Sequence, residues 1–173
     1  MKNLLLEKVE YKIETTRFGV WRRFVYPTGA YFAEFKSHST FLGLPLLHYT
    51  RGICPETGRR IIAKGILAVG RLAMGVLAIG HASFGAIAIG QLGLGILLGL
   101  GQGATGLYAI GQFALGLLFG LGQFATGQIV IGQIAYGKYV LAQFGYGEYV
   151  WSQKRADPEA VEFFKSLLSR FFS

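Results

Sequence analysis

The side chains that could do chemistry are few and scattered. His38, His48 and Cys54 are the nearest set of soft metal ligands, and three residues without short spacings fall short of the four that a structural zinc site uses. Ordinary buried or turn positions are the expected reading of all three. No carboxylate pair, Ser/His/Asp set or Cys/His dyad can be assembled from spacing. The glycines lack the Gly-Lys-Ser/Thr and strand-to-helix context of a phosphate loop. The chain is therefore expected to be no enzyme, with no catalytic residue, metal site or cofactor. Arg22-Arg23 and Arg59-Arg60, near Trp21, Phe24 and Tyr26, could meet lipid headgroups or nucleic-acid phosphates. A solvated strand face ranks first for each arginine alone, and nucleic acid is not expected as the partner.

These residues sit in three segments of unequal charge. Residues 1–64 hold eleven Lys/Arg against five Glu, most of the chain's net +8. Residues 65–153 hold only Arg71, Lys138 and Glu148, and residues 154–173 are mixed. With 173 residues, 52% hydrophobic and 26 of them glycine, the chain is too apolar for disorder and about twice as glycine-rich as usual. A single cysteine excludes an internal disulfide framework, so a cytoplasmic location is the default. Met1 to Leu6 begin like a signal peptide, but Glu7, Lys8 and Glu10 follow too soon for an apolar core of 7 to 15 residues, and no signal peptide is expected.

The N-terminal segment alternates as strands do: Val9, Tyr11 and Ile13 against Glu10, Lys12 and Glu14. Further strands are predicted over residues 18–26, 30–35 and 40–49, punctuated by Pro27-Thr28-Gly29 and Pro55-Glu56-Thr57-Gly58. Asp157-Pro158-Glu159 predicts a helix start. The helix runs to about residue 172, with Val161, Phe164, Leu168 and Phe171 on one stripe.

Between these lies a repeat of period five. Glycine recurs at 65, 70, 75, 80, 85 and 90, at 101, 106, 111 and 116, and at 122, 127, 132 and 137. Each unit reads Gly, variable, Leu/Ile/Phe, small, bulky, as in Gly70-Arg71-Leu72-Ala73-Met74. A longer period of 20 or 21 residues is superimposed, with the extra residue in Ile96-Leu97-Leu98-Gly99-Leu100 and Leu117-Leu118-Phe119-Gly120-Leu121. Four pentads per repeat predict coils with four short sides, stacked by parallel hydrogen bonds. Glycines five apart advance a helix by about 500°, so they line no helical face, and transmembrane helices are disfavoured.

On these residues the chain resembles the pentapeptide-repeat proteins over residues 65–151. The resemblance implies a right-handed quadrilateral β-helix in which the central slot, here Leu72, Leu77, Phe113 and Phe124, points inward. Arg71, Val76, His81 and repeated Gln stand where that family has Asp or Asn. Its acidic members mimic DNA through outward carboxylates, whereas this segment has only Glu148. The run Gly43-Leu44-Pro45-Leu46-Leu47-His48, the Pro55 turn and the pentads also look like uncharacterised bacterial glycine-rich solenoid proteins, which implies architecture only.

The expected fold class is thus mainly β: a four-sided parallel β-solenoid (65–153) with a basic, β-rich N-terminal region (1–64) and a C-terminal amphipathic helix (154–173). Twenty-residue coils place Arg71, Gln91, Gln112 and Gln133 in one column and His81, Gln102, Gln123 and Gln143 in another, on opposite sides. Val76, Ile96, Leu117 and Lys138 fall on an intervening side, and the fourth carries Ile66, Ala86, Leu107, Gln128 and Glu148. The bulky fifth residue points outward in the pentapeptide register, or inward with the third in a wider core; the sequence leaves both open.

Either way a large apolar surface is expected, and patches above a few hundred Å² mark partner surfaces. The expected function is noncatalytic: self-assembly into a homo-oligomer or polymer through a face of Val76, Ile96, Leu97, Leu98, Leu117, Leu118 and Phe119. The second reading is a membrane-associated protein using apolar sides, helix and basic region to bind lipid, and the third a binding module for a cytosolic partner.

Overall fold

Alternating apolar residues and tight turns fold residues 9–70 into a mixed sheet. The computed structural model describes residues 9–171. Its elements are β1 (Lys12–Thr15), β2 (Gly19–Val25), β3 (Tyr31–Ser37), β4 (Thr40–Phe41), β5 (Leu44–Pro45), β6 (Leu47–Arg51), β7 (Ala63–Val69), β8 (Leu72–Trp151) and α1 (Pro158–Phe171). The sheet order is β1-β2-β3-β6-β7-β8, with β4 and β5 forming a separate hairpin, and the sheet is not closed. The chain is mainly β with one C-terminal helix.

The first four strands of the sheet are antiparallel. At the Pro27-Thr28-Gly29 turn the Gly29 N–H donates to Tyr26 O at 2.9 Å, and Gly29 adopts φ 82°, which a side chain would resist. Trp21 packs on Phe35 and Tyr49, and Tyr11 on Phe24 and Phe32. β3 is central, and four successive residues, Phe32, Ala33, Glu34 and Phe35, are buried, so both of its faces are covered. From β6 the pairing turns parallel: Leu47 lies beside Leu67, and Leu67 beside Leu77.

That last step is ten residues. Ala63 pairs with Ala73 and Gly65 with Gly75, whereas coils of four pentads require a register of twenty. The same spacing continues inside β8. A Cβ on Gly85 would lie 2.0 Å from Gly75 O, on Gly111 1.9 Å from Gly101 O, and on Gly147 2.0 Å from Gly137 O. Backbones ten residues apart therefore touch where the glycines stand, and no side chain fits there. The extra residues are absorbed where the sequence places them, since Gly106 approaches Gly95 O and Gly122 approaches Gly111 O at a step of eleven.

Burial follows the fourth residue of the pentad. Ala63, Ala68, Ala73 and Ala78 form one buried cluster, and Ala104, Ala109, Ala114, Ala125, Val130, Ala135, Val140, Ala142 and Val150 form another. The expected inward central slot is corrected: Leu72, Phe113 and Phe124 are exposed and Leu77 is half-buried. The bulky fifth residues Met74, Leu115, Tyr136 and Tyr146 are also exposed. Residues three and five flank the fourth, and in an extended chain neighbours point to opposite sides. Once alanine points inward, both bulky side chains must point out. The interior admits little more than a methyl group. Where Val140 and Val150 enlarge it, Gly145 compensates, for a Cβ there would lie 2.9 and 2.8 Å from their Cγ1 atoms.

The chain divides into two compact units, Met1–Gly90 and Gln91–Ser173. In the second, Trp151 bridges Ala156, and Ser152 Oγ accepts from the Lys154 and Arg155 N–H groups, a turn that leads into α1. Ala160 and Phe164 are buried, and Phe163 stacks on Tyr139 at 4.4 Å. The expected stripe is thereby shifted: Phe164 lies inside, Val161 is half-buried, Leu168 is 47% exposed, and the Phe171 side chain lies outside those described.

Candidate binding surfaces

The outward faces of β8 are built by the pentad itself. Ile96, Leu97, Leu117 and Leu118 are exposed, Leu117 at 69%, with Leu98 and Phe119 partly covered; in the first unit Val76 is exposed as well. Phe113, Leu115, Phe124, Tyr136 and Tyr146 extend this apolar surface, and sequence reasoning missed them because it turned the third slot inward. Aromatic side chains recur in step. Phe113 stacks on Phe124 at 5.0 Å, and Tyr139 on Tyr149 at 5.1 Å.

The ten- and eleven-residue register also redraws the polar columns. Gln102, Gln112, Gln123 and Gln133 follow Gly101, Gly111, Gly122 and Gly132, whose backbones touch in sequence, and Gln143 follows ten residues later. The two expected glutamine ladders are one, not two on opposite sides. In the first unit His81 follows Arg71, the His81 N–H donating to Arg71 O at 3.0 Å. Gln91 is exposed. The other two expected columns merge likewise. Gln128, Lys138 and Glu148 follow Gly127, Gly137 and Gly147, so Lys138 has Gln128 and Glu148 as neighbours rather than Leu117.

The four arginines expected at an anionic surface do not act together. Arg22 forms an ion pair with the buried Glu34, and Arg23 pairs with Glu14 at 3.0 Å and lies over Trp21. Those charges are already compensated. Arg59 and Arg60 are exposed on the segment between β6 and β7.

The most polar interior is around Glu34, which is 1% exposed. His48 Nε2 lies 3.0 Å from its Oε1, and Lys36 Nζ 3.1 Å away. The Lys64 N–H donates to His48 Nδ1 at 2.8 Å, which turns Nε2 of the ring toward the carboxylate. Burial alone raises a carboxyl pKa, but hydrogen bonds from His48, Arg22 and Lys36 outweigh it and hold Glu34 at about 2. Sequence reasoning missed Glu34; its one signal was an acid inside the apolar run Tyr31-Phe32-Ala33-Glu34-Phe35. The group reads as a buried tether joining β2, β3, β6 and β7.

The three soft ligands are not brought together. His38 Nε2 lies 3.1 Å from Thr16 O, and buried Cys54 lies 3.7 Å from the Tyr11 hydroxyl. Burial pushes the Cys54 thiol pKa up, but hydrogen bonds from the Thr57 backbone and from Tyr11 leave it lowered. Among the described residues no group of three or more His, Cys, Asp or Glu could hold a metal ion, and no helix is long and apolar enough to cross a membrane.

No protein-family model matches the chain, and neither a curated protein nor a solved structure matches it.

Proposed function

We propose that the repeat is a flattened parallel β-solenoid of two pentads per turn, and that its function is structural, through association of its apolar outer faces with those of further copies. The observation that carries this reading is the inversion of the pentad, with alanine inside and Leu, Ile, Phe and Tyr outside. The ten-residue register supports the two-pentad turn.

Exposed apolar surface of this extent favours burial at about 25 cal/mol per Å². A second copy is the fitting occupant because the surface is periodic. Rows of like side chains recur at the strand spacing of about 4.8 Å, so two such faces can interdigitate in register. Within a bilayer core the column from Gln102 to Gln143 would need hydrogen-bond partners that lipid does not supply.

Leu117→Lys tests it. The variant should disperse the assembly in sedimentation velocity while its circular dichroism stays that of a folded β protein; an oligomer of unchanged size would remove this face from the interface. Flotation of a detergent-free lysate separates the membrane reading, since protein rising with lipid would displace the soluble assembly.

A further inference from the structure

A group of basic side chains lies in the N-terminal unit beside the C-terminal ends of β6 and β7 and the adjoining part of β8. Tyr49 pairs with Val69 and Val69 with Ile79. One residue on, Gly70 lies against Thr50, and one further the His81 N–H donates to Arg71 O. Arg51, the next residue of β6, is thereby brought near Arg71 and His81. Arg60 joins them from the segment between β6 and β7. All four line one open depression of about 610 Å³, together with Tyr31, Tyr49, Thr50 and the backbones of Gly52, Gly70 and Gly80.

No Asp or Glu lines this depression. Among the described residues none of Arg51, Arg60 and Arg71 forms an ion pair, in contrast to Arg22 and Arg23. Like charges gathered around one depression repel, so the arrangement is at a disadvantage until an anion enters. Arg51 is also preorganised, its guanidinium lying 4.8 Å from the centre of the Tyr31 ring. Small residues keep the floor low: a Cβ at Gly70 would meet Thr50 Oγ1 at 2.5 Å, and one at Gly80 would meet Gly70 O at 2.2 Å.

We propose that Arg51, Arg60 and Arg71, with His81, form a binding site for a phosphate group. One guanidinium satisfies a carboxylate, whereas three forked donors and an imidazole match the charge and the several oxygens of a phosphate monoester. The group can be a free phosphate or a phosphomonoester lipid headgroup. The site is distinct from the apolar faces of the repeat, so it stands or falls separately from self-association.

Two measurements on the full chain decide it. In phosphate-free buffer, titrated inorganic phosphate should raise the melting temperature of the wild type. Arg51→Gln and Arg71→Gln should each weaken the apparent affinity about tenfold and melt no lower than wild type before phosphate is added. Arg59→Gln, outside the depression, should behave as wild type. In the second arm the protein is floated with phosphatidylcholine vesicles with and without phosphatidic acid. Stabilisation by inorganic phosphate assigns a soluble source; flotation that requires phosphatidic acid and is lost in Arg71→Gln assigns a headgroup. If neither probe binds, or if Arg51→Gln and Arg71→Gln respond as wild type does, the proposal is overturned.

Discussion

Phe113 and Phe124 lie with ring planes 3° from parallel and centroids 5.0 Å apart, both on the outer surface of β8. They are eleven residues apart, and that separation defines the repeat. Nearly parallel rings at this distance are what the same slot on adjacent strands produces. A twenty-one-residue coil would have set Phe113 beside Ile134. The stack thus reports the same short register as the glycines beneath it.

Glycine at those contacts is required by space. Gly111→Ala would drive a methyl group into Gly101 O, 1.9 Å away, so a loss of at least about 3 kcal/mol is expected in urea unfolding. Gly103 is the control: its Cβ would meet the flexible end of Leu92 at 3.2 Å and Gln91 O at an ordinary 4.0 Å, so Gly103→Ala should stay within about 1 kcal/mol of wild type.

The inverted pentad gives a second pair. Ala114 is fully buried while its neighbour Leu115 is 57% exposed. Ala114→Leu should cost about 1–3 kcal/mol by overpacking, whereas Leu115→Thr should change the stability of the dispersed protein by no more than about 0.5 kcal/mol. Thermal melts of Leu117→Lys carrying each change would measure this without association intervening.

Much of this was legible in sequence, and the failures have physical reasons. The five-residue period, the strands flanking Pro27 and the helix start at Asp157 are local signals, read from turn chemistry and glycine spacing. The number of pentads per turn is not local. Recurring side chains record columns, and Gln91, Gln112 and Gln133 fit a turn of ten as well as one of twenty, because one is a multiple of the other. The inward central slot came from the likeness to pentapeptide-repeat proteins, whereas close backbone approach here leaves room only for small residues such as Ala109 or Ala114. The Glu34 and His48 pair, fourteen residues apart, exists only through the register of β3 with β6.

Acid should weaken the N-terminal sheet through Glu34. Its pKa falls from 4.5 to about 2 on folding, so the unfolded chain takes up the proton first. The stabilisation is complete above pH 4.5 and disappears as the pH falls to about 2, amounting to roughly 3 kcal/mol. Glu34→Gln should flatten that part of a stability profile followed by tryptophan fluorescence, and a profile unchanged by the substitution would contradict the assignment.

At the β4–β5 turn Leu42 holds φ 50° and is the most exposed large apolar residue of the chain described here. Asparagine tolerates that conformation better than leucine. Leu42→Asn should therefore raise stability by about 1 kcal/mol, read as a higher midpoint in urea.

Asp157 carries a further consequence. Its carboxylate accepts from the Val150 N–H at 2.7 Å, and its own N–H donates to Val150 O at 2.9 Å. A free strand edge at Val150 would be a landing site for a strand from another molecule. With both of that residue's backbone groups engaged, such recruitment is blocked there. The last acid before the helix thus acts as a stop to strand addition at Val150.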